Sequence, residues 1–159
     1  MLTKNEVVFC DLVLLKSEVM YFSEQHPTRV LLVDDEPDII EFLSYNFRKE
    51  GYEVLTAYDG KQAIEVSNKR QPDVIITDIL MPNMNGIAFC EQLKTRDTLK
   101  QVPVIFLSAS NDDLFAMAAM KAGGSRYVSK PIRFNVLKLM VQELLEKPND
   151  QFFKRRFKS

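Results

Sequence analysis

Four short segments carry the side chains that could do chemistry. Asp34, Asp35 and Glu36 put three carboxylates in a row, Asp78 follows 43 residues after Asp35, Ser108 a further 30, and Lys130 another 22. Folded onto one rim, carboxylates, a hydroxyl and an ammonium would make a site for a hard cation. Carboxylates within a few ångströms repel one another, each pair by about 4 kcal/mol at 4 Å for an effective dielectric near 20, so something must offset them. Mg2+ suits, because it prefers oxygen ligands and keeps several waters, whereas zinc or copper would call for the His and Cys that these segments lack. Singly, each segment has a plainer reading. An acidic run before Pro37 is a solvated turn and helix N-terminus, Asp78 a turn residue, Ser108 a strand-end hydroxyl and Lys130 a surface lysine.

Whether they meet depends on the elements between them. Short β-branched runs, Val30 to Val33, Glu53 to Ala57, Val74 to Thr77, Val104 to Leu107 and Tyr127 with Val128, read as five strands, mostly without inside/outside alternation. Ile40, Leu43 and Phe47 recur at helical spacing between Pro37 and Gly51, and Leu114, Met117 and Ala118 between Asn111 and Gly123. Weaker helical patterns fill Lys61 to Lys69 and Ile87 to Lys94, and Leu137, Met140, Val141 and Leu144 form a last stripe. Strand then helix, five times over, predicts an α/β fold: a doubly wound, five-stranded parallel sheet with helices on both faces, from Arg29 to Lys147. In such a sheet ligands gather outside the carboxyl ends of the strands, which is where all four segments fall.

Val33-Asp34-Asp35-Glu36, Thr77-Asp78-Ile79-Leu80-Met81-Pro82 with Asn85-Gly86, Leu107-Ser108-Ala109 and Tyr127-Val128-Ser129-Lys130-Pro131, with the separations given above, resemble the receiver domain of two-component response regulators, chemotaxis regulators among them. The resemblance implies a flavodoxin-like fold and a role for each residue. Asp78 would accept a phosphoryl group from a histidine kinase or phosphotransfer protein. Asp35 directly, Asp34 mainly through water, and the Leu80 carbonyl would join Asp78 in holding Mg2+. Lys130 would pair with one phosphoryl oxygen, and Ser108, helped by the Ala109 N–H, would donate to another. Phosphoryl transfer needs in-line positioning and neutralised equatorial oxygens, which a metal, an ammonium and a hydroxyl provide.

The resemblance also implies a switch. Ser108 would move toward the phosphoryl group, Tyr127 would turn inward, and the face of the fourth helix, fifth strand and fifth helix would change. That face is basic through Lys121, Arg126 and Arg133, and its Ala116, Met120, Arg126 and Arg133 are expected to meet a protein target. An aspartyl-phosphate hydrolase of similar layout would need a second Asp where Leu80 stands, so no enzyme is expected beyond slow self-dephosphorylation, with Leu80 and Ser110 unable to orient a water. A scaffold that works without phosphorylation ranks below the switch, because every phosphorylation residue is present.

The composition, 46% hydrophobic and 27% charged with a net charge of −1, is that of a globular domain rather than a nucleic-acid coat or a membrane-surface protein. Cys10 and Cys90 read as free thiols, which suits the cytoplasm. No apolar run before the strands approaches the roughly 20 residues of a membrane helix. Residues 1–28 form an extension, either a helix on Leu12, Leu15, Val19 and Phe22 or a stretch ahead of a start at Met20, and His26 in it reads as a turn residue. Residues 148–159 are a basic aromatic tail of net charge +3, too short for a DNA-reading module. A stand-alone signalling domain is expected, monomeric or weakly dimeric, without specific DNA binding.

Overall fold

β-branched runs that can be covered on both faces become the sheet. The computed structural model describes residues 27–109 and 113–146. Its strands are β1 (Arg29–Val33), β2 (Glu53–Ala57), β3 (Val74–Asp78), β4 (Val104–Ser108) and β5 (Arg126–Ser129); between and after them come α1 (Pro37–Lys49), α2 (Gly60–Lys69), α3 (Gly86–Lys94), α4 (Asp113–Lys121) and α5 (Phe134–Glu146). All neighbours pair in parallel, in the order β2-β1-β3-β4-β5. The doubly wound α/β sheet expected from the sequence is therefore the fold. β3 and β4 are buried along their whole length and β1 from Val30 onward, whereas the edge strands β2 and β5 are partly open. Residues 1–26, which include Cys10, Met20 and His26, lie outside the described residues, as do Ser110, Asn111 and the 148–159 tail.

Alternation along β1 shares its side chains between two cores. Val30 and Leu32 pack with Leu43, Phe47, Leu137 and Val141 of α1 and α5. Leu31 and Val33 pack on the opposite face with Phe89, Leu93, Phe106 and Ala119. β1 leads through α1 to β2 on one side, and α2 then carries the chain back across β1 to β3 on the other. The order thus reverses between β1 and β3, which opens a crevice at their carboxyl ends. Among the described residues no helix is long and apolar enough to cross a membrane.

One helix is turned differently from the sequence reading. Leu114 and Met117, taken as the inward stripe of α4, are 73% and 69% exposed, while Ala119 and Ala122 are buried and Phe115 packs against the core. The sheet dictates this phase. A Cβ on Gly124 would stand 2.7 Å from the Phe106 ring and 2.8 Å from the Ala119 carbonyl, so backbone and ring approach closely here and only small side chains fit between them.

Phe47 is fully buried, and its ring meets Tyr52 and Phe134 edge to face at centroid distances of 5.5 and 5.0 Å. Phe47→Ala should cost about 3–5 kcal/mol, seen as a lower urea midpoint with an unchanged slope. A loss under 1 kcal/mol would mean that α1 and α5 are held by other contacts.

Candidate functional site

The crevice fixes where the acidic residues stand. β1 ends at Val33, so Asp34 and Asp35 follow immediately on the rim, and Asp78 is the last residue of β3 beside it. Asp34, Asp35 and Asp78 each offer a carboxylate oxygen within 4.8 Å of the others. Asp34 and Asp78 are buried, and Asp35 is exposed. Asp34 is further fixed by accepting the Glu36 N–H on Oδ1 at 2.9 Å. Three converging carboxylate oxygens are a donor set that fits Mg2+, and the one thiol among the described residues, Cys90, is buried in the core.

Lys130 reaches this cluster from the far side of the sheet. Its Nζ stands 2.8 Å from Glu36 Oε1, 3.1 Å from Asp34 Oδ2 and 3.5 Å from Asp78 Oδ1. Its backbone N–H donates to the Ser108 carbonyl at 2.7 Å, which ties the end of β5 to the end of β4, and the peptide bond to Pro131 is cis. Ser108 is buried at the end of β4, one residue past Leu107, the register partner of Asp78. It shares the sheet face of Phe106, to which core the half-buried Tyr127 also belongs.

The electrostatics follow from burial. Removal from water pushes the Asp78 carboxyl up to about 6; Lys130 acts against this and the Asp34 charge adds to it. Burial also raises Asp34, against the Glu36 N–H and Lys130. Burial alone would lower the Lys130 ammonium, but its hydrogen bonds to Glu36 and Asp34 and the charges of Asp34 and Asp78 outweigh it and hold the proton on. The single ammonium of Lys130 is thus shared among Glu36, Asp34 and Asp78.

The structure brings Asp34, Asp35, Asp78 and Lys130 together, with Ser108 on the neighbouring strand end. The Leu80 side chain, two residues past Asp78 in the chain, is 56% exposed. Three contributors stood in the sequence segments without a role of their own. Glu36 is the shortest partner of Lys130. Thr77 donates its hydroxyl to the Asp78 carbonyl at 2.9 Å inside the core. Gly86 lies against the Asp78 backbone so closely that a Cβ would fall 2.0 Å from the Asp78 carbonyl oxygen; the Asn85-Gly86 pair was the available signal, Asn85 capping α3 through the Ala88 N–H at 2.8 Å.

Residues 30–142 match the sequence pattern of the response regulator receiver domain. The alkaline phosphatase synthesis transcriptional regulatory protein PhoP of Bacillus subtilis is 30% identical over 119 residues, which is 75% of this chain and 49% of PhoP. The chain thus spans about half the length of that curated relative. The chemotaxis response regulator CheY4 of Vibrio cholerae superposes with a TM-score of 0.71 at 30% identity, covering 76% of this chain and all of CheY4. The receiver domain of sensor histidine kinase PA1611 from Pseudomonas aeruginosa, solved with a magnesium ion coordinated in the active site cleft, gives 0.70 at 25% identity, covering 76% and 98%.

The raised Asp78 carboxyl makes stability depend on pH. Its ordinary value is 3.8 and its folded value about 6, so the folded chain binds this proton more tightly. Its contribution is fully favourable below about pH 4 and is lost as pH rises through 6. At about 1.4 kcal/mol for each tenfold in proton affinity, the difference is worth about 3 kcal/mol. In metal-free buffer Asp78→Asn should therefore stabilise the fold by about that much at pH 7 and by almost nothing at pH 4. Equal stabilisation in urea titrations at both pH values would detach the effect from the Asp78 charge.

Proposed function

The chain belongs to the response regulator receiver domain family, and on that premise we propose that it is a phosphoryl-operated signalling switch with Asp78 as acceptor. The observation that carries this reading is the rim cluster itself: Asp34, Asp35 and Asp78 converge, with Lys130 held among them. The donor is a phosphohistidine on a histidine kinase or phosphotransfer protein. A carboxylate oxygen of Asp78 attacks the phosphorus, the O–P bond forms as the P–N bond breaks, and the imidazole nitrogen leaves with the electron pair and takes up a proton. Asp35, Asp34, Asp78 and the Leu80 carbonyl would hold Mg2+, which would supply positive charge to neutralise phosphoryl oxygens and offset the crowded carboxylates.

Lys130 needs little movement, because its ammonium already faces Asp78 and exchanges carboxylate partners for a phosphoryl oxygen. Ser108 turns its hydroxyl toward another, Tyr127 follows inward, and α4, β5 and α5 shift. The surface they present is apolar and basic: Met120 and Arg133 are exposed, Ala116 is half-buried, and Arg126 lies 3.8 Å from Glu143. A protein target that reads this surface is the output. Hydrolysis of the aspartyl phosphate is slow, because Leu80 covers the rim without offering a hydrogen bond to an attacking water.

Incubation with a small acyl-phosphate donor and Mg2+ should add one phosphoryl group by intact mass, and Asp78→Asn or a chelator should abolish the gain. A gain that persists in either arm removes Asp78, or the metal, from the reaction. The phosphorylated lifetime should run from many minutes to hours, and Leu80→Asn with Ser110→Glu should shorten it, since a positioned polar side chain is typically worth about 10²-fold or more. Loss of the group from the parent chain within seconds would show that water access at these positions does not set the lifetime.

A further inference from the structure

The loop from Ile79 to Asn85, between β3 and α3, carries Leu80, and its position relative to Asp78 decides whether a backbone carbonyl can join the carboxylates. Its base is clamped by the Gly86 N–H donating to the Ile79 carbonyl at 2.9 Å. Its tip is held from another element altogether. Asn83, at φ 63, donates its side-chain amide to Asp59 Oδ2 at 2.9 Å. The next residue, Met84, accepts the Gly60 N–H on its carbonyl at 3.0 Å. The approach there is close: a Cβ on Gly60 would lie 2.6 Å from Met84 Cγ and 2.8 Å from the Met84 carbonyl oxygen.

Asp59 serves two elements at once. Its Oδ1 accepts the Gln62 N–H at 2.8 Å and caps α2, while Oδ2 faces the β3–α3 loop. It is buried, and among the described residues it makes no ion pair, so hydrogen bonds hold its charge. The Gln62 N–H first and the Asn83 amide second draw its carboxyl below the ordinary range. Bonds to a buried carboxylate are stronger than neutral ones, and this one spans the gap between the turn after β2 and the loop after β3.

We propose that Asp59 and Asn83 are positioning residues of the metal site, a strap that fixes the Leu80 segment against Asp78 although neither side chain is itself a ligand. This inference rests on the Mg2+ reading of the rim. Two substitutions separate the strap from its other duties. Asp59→Ser keeps a good cap on α2 but is too short to reach Asn83. Asn83→Gly keeps the positive φ without strain and loses only the amide.

Calorimetric titration of the unphosphorylated chain with MgCl2 should give a dissociation constant about tenfold weaker or more for each variant, in keeping with partners beyond the ligands. The double variant should be no weaker than the worse single one, since both break the same bond. Thermal melts run alongside confirm folding, and if one variant unfolds the other carries the test. Variants within twofold of the parent, or penalties that add in the double variant, overturn the strap. Should the parent bind Mg2+ and take up phosphate while the variants match it, only the strap is refuted. A parent that binds no Mg2+ refutes the metal reading, and the strap falls with it.

Discussion

Excess negative charge on one edge of the sheet is the constraint on which the rest of this structure depends. Asp34, Asp35 and Asp78 are brought within a few ångströms, two of them buried, and one ammonium faces them. In a medium of low effective dielectric an arrangement like this is unfavourable by several kcal/mol unless each charge is placed with care. The fold supplies that care. The Glu36 N–H braces Asp34, Lys130 is anchored through its own backbone to Ser108, and Glu36 lends a third carboxylate to keep Lys130 turned toward the rim. What is left over is a crowd of carboxylates in which burial pushes the Asp78 carboxyl up to about 6.

That tension can be sustained because the sheet beneath it is fully packed. β1, β3 and β4 end in the buried or rim positions that carry the chemistry, and both faces are covered by apolar side chains from five helices. The reversal of strand order between β1 and β3 sets the crevice, so that the acidic pair after β1 and the acid closing β3 become neighbours without any direct sequence link. Topology and chemistry are thus one statement. Moving Asp78 by one residue along β3 would turn its side chain to the other face of the sheet.

The central strands were legible because uninterrupted runs such as Val-Ile-Ile and Val-Ile-Phe-Leu suit only a strand covered on both sides, and the Leu43 and Phe47 stripe of α1 told its buried face correctly. α4 misled, since Leu114 and Met117 carry the stronger apolar signal yet stand in solvent, while alanines, nearly silent in a pattern, take the inside. At the rim, Asp34, Asp35, Asp78 and Lys130 announced themselves by spacing. Glu36 as the partner of Lys130, 94 residues away, and Asn83 as the partner of Asp59 did not. An exposed glutamate and a turn asparagine are common residues whose significance lies wholly in what the folded chain sets opposite them.

The alanine seat of α4 has a consequence for how free energy is distributed through the molecule. Large side chains fasten α1 and α5, Phe47, Leu43, Leu137 and Val141 among them, whereas α4 is fastened mainly by Phe115, Ala119 and Ala122. Apolar area removed from water sets how firmly an element is held, so α4 is held less firmly than α1 and α5. Its amides should exchange through sub-global openings that leave β1, β3 and β4 intact, a foldon of low rank in a molecule whose centre opens only on complete unfolding. A helix seated largely on methyl groups has few contacts to break when it slides.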